Sequence, residues 1–205
     1  MKLAVTPKYI NSLSMCEIFP HEWLIKSFFF VMAAFIFLPK QNIKAQITEY
    51  EIKAIFLEKF TEFVEYPGWE NTPDEKGMFV IGVYGESPLY NELTEYFQDK
   101  KLKGRKTVVK QISNMNLILN CNLLFITQSE KKRINQILDN TMNKPILTVG
   151  DTEGYCEKGV LINFFLEDNK IRFEINFNAV QKSGLYMNYR LLKLAKVITP
   201  FEEGS

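Results

Sequence analysis

The stretch MFVIGVYGESP, residues 78–88, decides the fold class. Met78–Tyr84 is a continuous apolar run, which is typical of a strand that is covered on both faces of a sheet. Gly85 ends the run, and the Ser-Pro pair that follows predicts a helix over Leu89–Gln98, because serine caps a helix and proline fits its first position. A buried strand that turns directly into a helix indicates an α/β fold.

Further apolar runs along the chain predict the rest of the sheet. The predicted strands are Lys106–Ile112, Asn122–Ile126, Ile146–Val149, Val160–Phe165 and Ile171–Phe177. The last two flank Leu166–Lys170, which predicts a hairpin loop.

Helices are predicted between and around these strands. They cover residues 47–66, Glu130–Leu138 with Thr127 and Glu130 as a capping box, and Asn188–Ile198. The alternation predicts an α/β fold, a single three-layer domain whose mixed, mostly parallel sheet of about six strands has helices on both faces. No repeat or linker divides this region, so one domain is predicted over residues 46–200, with a tail at 201–205.

A separate apolar stretch near the N-terminus predicts export. Residues 28–38, FFFVMAAFIFL, are too few to span a bilayer, which needs about 20 helical residues. Their length is typical of a signal peptide, with cleavage predicted after Ala45 and Met15 as an alternative start. An uncleaved anchor or a core helix are the other interpretations. We therefore expect a periplasmic protein that, once its leader is cleaved, has no stable membrane insertion.

Composition excludes several classes of function. Basic residues number 25 and acidic residues 24, and without residues 1–45 the counts are 20 and 22, so nucleic acid is not an expected partner. The only histidine, His21, lies in the predicted leader. Catalysis that depends on histidine and metal sites with histidine ligands are therefore excluded from the mature chain.

Two cysteines remain after the leader, Cys121 and Cys156. One precedes a predicted strand and the other follows the next predicted strand, so parallel pairing puts them at opposite ends of the sheet. Two separate buried thiols are the favoured interpretation, and a disulfide is the alternative.

Catalytic motifs give only weak signals. Ser129–Lys132 matches the S-x-x-K motif, but its companion motifs are missing and a helix cap explains the residues. Asp151, Glu153 and Glu157 are close in sequence, and a solvated acidic loop explains them. Glu86 disfavours a phosphate after the first strand. We expect neither an enzyme nor a cofactor.

The predicted helix over residues 47–66 carries the candidate binding residues. Its aromatic residues and exit, namely Phe60, Phe63, Tyr66 and Trp69, are a candidate partner contact, although a core role is an equal alternative. Lys53 lies in the apolar arc, and one interpretation is that its stem is covered by neighbouring side chains. The other interpretation makes Lys53, together with Arg105, an anion contact.

Motifs in sequence order carry a family resemblance. They are Tyr50-x-x-Lys53-Ala54-x-Phe56-Leu57-x-x-Phe60-x-x-Phe63-Val64-x-Tyr66-Pro67, Gly104-Arg105, Cys121-x-Leu123-Leu124-Phe125-Ile126, Leu147-Thr148-Val149-x-Asp151-x-x-Gly154 and Arg172-Phe173-Glu174-Ile175-Asn176. Together they resemble the YfiR/HmsC family of small periplasmic proteins. Tyr66 stands where tryptophan is usual in that family, and the mature cysteines are fewer than in some relatives.

The resemblance implies a non-enzymatic periplasmic regulator. Such a protein holds an inner-membrane diguanylate cyclase inactive, which lowers cyclic di-GMP and limits biofilm formation. The alternative is a small-ligand binding module that feeds a sensor kinase. The expected partner is in either case an inner-membrane signalling protein, and a homodimer is also compatible with the sequence.

Overall fold

The computed structural model describes residues 48–68 and 77–198. All of these residues fall within one compact unit, Gln46–Ser205. The predicted leader, the Ala45 cleavage site, Trp69 and the 201–205 tail lie outside the described residues.

The helices and strands follow one another in an alternating order. The helices are α1 (Glu49–Phe63), α2 (Leu89–Tyr96), α3 (Ile134–Thr141), α4 (Tyr155–Lys158), α5 (Phe177–Ser183) and α6 (Tyr189–Leu194). Two 3-10 helices cover Met115–Asn120 and Gln128–Arg133. The strands are β1 (Val64–Glu65), β2 (Met78–Tyr84), β3 (Lys101–Leu102), β4 (Arg105–Ile112), β5 (Leu123–Ile126), β6 (Leu147–Gly150), β7 (Ile162–Glu167), β8 (Lys170–Asn176), β9 (Tyr186–Met187) and β10 (Lys196–Ile198).

The main sheet has eight strands in the order β10-β8-β7-β6-β5-β2-β4-β3. Strands β4, β2, β5, β6 and β7 pair in parallel, β8 is antiparallel to β7, and β3 is antiparallel to β4. The mixed, mostly parallel α/β sheet is confirmed, but the predicted count of about six was too low, because the short edge strands β3 and β10 carry little sequence signal. A separate two-stranded sheet pairs β1 with β9.

Helices cover both faces of this sheet, as predicted. On one face, α1 and α2 pack against Phe79, Ile81 and Val83 of β2. On the other face, α3 and the first 3-10 helix pack against Tyr84 and against alternate residues of β5. Because the side chains of a strand alternate between faces, β2, β4 and β5 each contribute to both apolar layers.

Three local predictions were wrong in detail. The helix predicted over Asn188–Ile198 ends at Leu194, and Lys196–Ile198 instead forms β10 along the free edge of β8, where its β-branched residues fit. The Thr127 side chain makes no cap; it bonds the Ser129 hydroxyl, and a 3-10 helix precedes α3. The hairpin loop contracts to Asp168 and Asn169, both at positive φ, as a tight two-residue turn requires.

We expect Phe60→Ala to destabilise the domain strongly. Phe60 is completely buried, and its ring centroid lies 5.5 Å from that of Phe164 and 4.9 Å from that of Phe173. Removing a buried aromatic ring should lower the free energy of unfolding by about 3–5 kcal/mol. Ile55→Ala, on the exposed side of α1, is the control and should cost at most about 1 kcal/mol. Urea unfolding measures both, and equal losses would contradict the burial of Phe60.

Candidate functional site

The carboxyl ends of the parallel strands form the polar edge of the sheet. In the sheet, β2 lies between β4 and β5. The chain passes from β2 to β4 on one side and then returns to form β5 on the other side, so the direction in which strands are added reverses between β2 and β5. In α/β sheets of this kind, a crevice opens at such a reversal, outside the carboxyl ends of the strands. The loops that follow β2, β5 and β6 therefore define the candidate site.

Two adjoining clefts occupy this edge. The first has a volume of about 400 Å³ and is lined by Tyr50, Glu86, Ser87, Pro88, Thr127, Gln128, Ser129 and Asp151. The second has a volume of about 510 Å³, and its charged lining residues are Glu49, Lys53, Asp151, Glu153, Glu157, Glu174 and Lys196. Asp151 lines both clefts, so it stands at the boundary between them.

Lys53 ties α1 to this edge. Its Nζ lies 2.7 Å from Asp151 Oδ2 and 2.7 Å from Glu49 Oε1, and its side chain is only 6% exposed. The ammonium also lies 5.5 Å from the ring centre of Tyr50. A capping box between Thr48 and Glu51 fixes the first turn of α1, which orients Glu49 and Lys53 toward the sheet. The buried lysine thus joins the start of α1 to the loop after β6.

The ion pairs keep Lys53 charged. Burial opposes its charge, but the hydrogen bonds to Asp151 and Glu49 outweigh this and raise the pKa of Lys53 above its usual value. A lysine whose pKa is higher in the folded state stabilises the fold at pH values below its unfolded pKa. That contribution is lost as the pH rises through the folded pKa.

The loops that follow β2 and β5 contact each other at Gly85 and at the hydroxyls of Thr127 and Ser129. Gly85 has φ +93°, and a Cβ there would overlap the side-chain oxygens of Thr127 and Ser129. The hydroxyls of Thr127 and Ser129 lie 2.8 Å apart, and Ser129 Oγ accepts a hydrogen bond of 3.2 Å from the Glu86 amide. The first cleft is therefore lined by hydroxyls and by the carboxyl groups of Glu86 and Asp151. This lining suits a ligand that donates hydrogen bonds or carries a positive charge.

The second cleft gathers the acidic loop that the sequence singled out. Asp151, Glu153 and Glu157 all line it, together with Glu174 of β8. Glu174 is 6% exposed; burial raises its pKa, and a 3.1 Å hydrogen bond from Asn163 opposes the shift. Sequence reasoning missed Glu174, although a lone acid in the apolar strand β8 is a signal. Within residues 48–68 and 77–198, no three carboxylate, cysteine or histidine side chains are grouped as a metal would need.

The two candidate anion contacts lie apart. Arg105 begins β4, whereas Lys53 contacts the residue that follows the last residue of β6. Because β4 and β6 run in the same direction, these positions are at opposite ends of the sheet. The structure therefore does not combine Lys53 and Arg105 in one cleft.

Two of the four aromatic residues that were predicted to contact a partner, Phe60 and Tyr66, belong to the core. Phe60 is fully buried, and Tyr66 is 8% exposed with its ring edge against Phe79, so a partner would have to open the core to reach Phe60. Burial also raises the pKa of the Tyr66 hydroxyl. Phe63 is half-buried at the end of α1, and Trp69 lies outside the described residues.

Both cysteines of the domain are free and buried. Cys121 precedes β5, and Cys156 lies in α4 after β6. Their sulfurs contact different carbonyl groups, those of Leu117 and Glu174 respectively. Burial raises the pKa of Cys121 to about 11 and also raises the pKa of Cys156, so neither thiol is activated as a nucleophile.

Fold and site together define a class of protein: a doubly wound α/β domain with a polar crevice at the carboxyl ends of its strands. The chain belongs to the YfiR/HmsC-like family, whose family model matches residues 50–196. The resemblance that the sequence motifs carry is thereby confirmed.

Two solved structures are similar to this chain at low sequence identity. A conserved domain protein from Vibrio cholerae O1 biovar El Tor strain N16961 is 11% identical with a TM-score of 0.51, over 74% of this chain and 60% of that one. An ABC domain in complex with L-Trp from Streptococcus pneumonia is 12% identical with a TM-score of 0.48, over 73% of this chain and 62% of that one. This chain thus spans about three fifths of the length of each, and the first of them supports the fold alone. Among the described residues, no helix is long and apolar enough to cross a bilayer.

We expect Lys53→Met to destabilise the domain. The change leaves the Asp151 carboxylate without its cation and should lower the free energy of unfolding by roughly 1–3 kcal/mol. The loss is limited to this range because Asp151 and Glu49 both keep some contact with water. Lys59→Met is the matched control: Lys59 pairs with Glu62 on the exposed face of the same helix, so its urea midpoint should not change.

The pH dependence tests the same ion pairs. The stability difference between the wild type and Lys53→Met should be constant between about pH 7 and about pH 10, where both carboxylates are ionised, and should shrink as the pH rises through the raised pKa of Lys53. Urea unfolding at a series of pH values measures this difference. A difference that grows with pH would show that the pKa of Lys53 is lowered in the folded state.

Proposed function

We propose that the protein is a non-enzymatic periplasmic regulator that binds a membrane-bound diguanylate cyclase and restrains it. Membership of the YfiR/HmsC-like family over residues 50–196 is the observation that carries this proposal. Restraint lowers cyclic di-GMP in the cell and limits biofilm formation. The predicted signal peptide supports the periplasmic location, because it directs the chain to the compartment in which a cyclase exposes its sensor part.

Restraint of this kind needs no bond-making chemistry. A regulator that binds the inactive conformation of the cyclase more tightly than the active one shifts the equilibrium toward inactivity. The shift is bounded by the ratio of the two affinities, so a hundredfold inhibition needs at least a hundredfold difference in affinity.

The contact surface that we propose lies at the end of α1. Phe63 is half-buried there, and Trp69 follows shortly afterwards in the chain. Phe60 and Tyr66, the other two candidate residues, are buried in the core. Large aromatic residues often contribute much of the binding energy at protein interfaces.

Deletion of the gene from its native cells tests the regulator proposal. Cyclic di-GMP and biofilm mass should both rise in the deletion strain, and reintroduction of the wild-type gene should return both to the wild-type level. A gene with Trp69→Ala should restore them less well, while the purified variant should unfold at the same urea concentration as the wild type. Unchanged cyclic di-GMP in the deletion strain would contradict the proposal. A variant that simply unfolds would instead assign Trp69 to the core.

The crevice favours a second function, a small-ligand binding module that feeds a sensor kinase or alters the affinity for the partner. The specific observation is the cleft at the reversal of the sheet, with Asp151 shared between two polar cavities. Its hydroxyls and carboxylates favour ligands that contain an ammonium group. Nucleotides fit poorly, because the acidic lining repels phosphate.

A thermal-shift screen of the purified protein tests the ligand module. Polyamines and amine-containing peptidoglycan fragments should raise Tm by about 2 °C or more at saturation, whereas nucleotides should not. Asp151→Asn should abolish the shift. The control Asp139→Asn removes an exposed carboxylate on α3 and should retain it. No shift with any compound would count against the ligand module and would leave the cyclase proposal intact.

A further inference from the structure

The C-terminal part of the described chain has an unusual charge distribution. Residues 177–198 contain Lys182, Arg190, Lys193 and Lys196 and no acidic residue. Acidic residues outnumber basic ones, 22 to 20, over residues 46–205 as a whole. Positive charge is therefore concentrated in this segment, while the crevice at the carboxyl ends of the strands is acidic.

Large apolar side chains lie exposed among these cations. Tyr186 of β9 is 67% exposed, Tyr189 of α6 is 59% exposed and Leu194 at the end of α6 is 72% exposed. Single exposed apolar residues are ordinary on protein surfaces, but three within nine residues form a cluster that calls for an explanation. We call the group Tyr186, Tyr189, Arg190, Lys193, Leu194 and Lys196 the basic aromatic surface.

Buried side chains and backbone pairing fix the position of the segment that carries this surface. Leu185 and Leu191, which lie within the same segment, are 3% and 2% exposed. Strand β10 pairs with β8, and the Asn188 side chain caps α6 by accepting a hydrogen bond from the Arg190 amide. The exposed side chains therefore project from an ordered backbone, and binding would not require the segment to fold first.

The chemistry of the surface matches an anionic bilayer. Tyrosine rings favour the headgroup region, where the ring is in contact with acyl chains and the hydroxyl with water. Lysine and arginine are attracted to anionic headgroups, and their long stems can lie along apolar surface. Lys193 Nζ lies 5.1 Å from the centre of the Tyr189 ring, so a cation and an aromatic ring are already side by side.

We propose that the basic aromatic surface binds the protein peripherally to membranes rich in anionic phospholipid. Arg190 and Lys193 supply most of the attraction, because Lys196 Nζ already lies 3.8 Å from a carboxylate oxygen of Glu174. Leu194 and the two tyrosines enter the headgroup region. Side chains that are mostly exposed suit a deformable lipid surface better than a rigid protein surface. The inference goes beyond the proposed function and does not depend on any cyclase.

Vesicle co-sedimentation tests the proposal with protein purified from cells that express the full chain. Vesicles contain either 30% phosphatidylglycerol in phosphatidylcholine or phosphatidylcholine alone. The wild type should bind the anionic vesicles, should bind neutral vesicles much more weakly, and should be released as NaCl is raised. Because each cation near an anionic surface contributes about fivefold in affinity, the double variant Arg190→Glu, Lys193→Glu should weaken binding by about 30-fold or more.

Matched controls separate the surface from net charge and from any membrane-active leader. Lys131→Glu, Lys132→Glu makes the same change of charge at two exposed positions in the second 3-10 helix and should leave vesicle binding nearly unchanged. Leu194→Ser should weaken binding several-fold, whereas Leu119→Ser, at a residue that is 52% exposed in the first 3-10 helix, should not. Far-ultraviolet circular dichroism verifies that each variant is folded.

Three results would overturn the proposal. They are failure of the wild type to bind anionic vesicles, equal binding to neutral vesicles, and equal weakening by the two charge-reversal pairs. If vesicles are not bound but retention of a membrane protein partner depends on Arg190 and Lys193, the surface recognises protein and the lipid assignment is wrong. If the wild type binds anionic vesicles but deletion of its gene leaves cyclic di-GMP unchanged, only the proposed function is contradicted.

Discussion

Strand β2 must be covered on both faces, and the rest of the fold follows from this constraint. Phe79, Ile81 and Val83 face one apolar layer, and Tyr84 faces the other. Both edges of β2 are also paired, with β4 and with β5, so its backbone groups are satisfied in the plane of the sheet. Gly82 lets the second layer approach closely, since a Cβ there would lie 2.5 Å from Cys121 Sγ. A strand enclosed in this way fixes where helices must pack.

The crevice is a consequence of the same arrangement. Because the neighbours of β2 run parallel to it, their carboxyl ends share one edge, and polar loops collect there. The start of α1 is joined to that edge by the contact of Lys53 with Asp151. Desolvation makes a buried ion pair a weak source of net stability, but its geometry specifies which residue of α1 faces which loop. Lys53 therefore contributes mainly to the position of the helix, and hence to the shape of both clefts.

The sequence predicted what long periodic segments encode. The apolar runs predict β2, β4, β5, β6, β7 and β8 to within a few residues. The helical spacing of apolar residues in 47–66 predicts α1. Two- and three-residue elements such as β3 and β10 were missed because their pairing depends on a neighbouring edge and not on a local pattern. The contact of Lys53 with Asp151 spans 98 positions in the chain, so each residue could be singled out but their contact could not.

The chain has nearly equal numbers of acidic and basic residues, yet it carries one acidic and one basic surface. The acidic cleft includes Glu174, and the basic aromatic surface includes Lys196, whose ammonium lies 3.8 Å from a carboxylate oxygen of Glu174. Lys196 lines the cleft and also belongs to the basic surface, so its charge acts on both. A cation that binds beside Glu174 would repel Lys196 toward the basic surface, and an anionic headgroup that attracts Lys196 would leave the Glu174 carboxylate without its neighbouring cation and so more available to a cationic ligand. Because such coupling is reciprocal, occupation of the cleft by a cationic ligand and attachment to an anionic bilayer would strengthen each other.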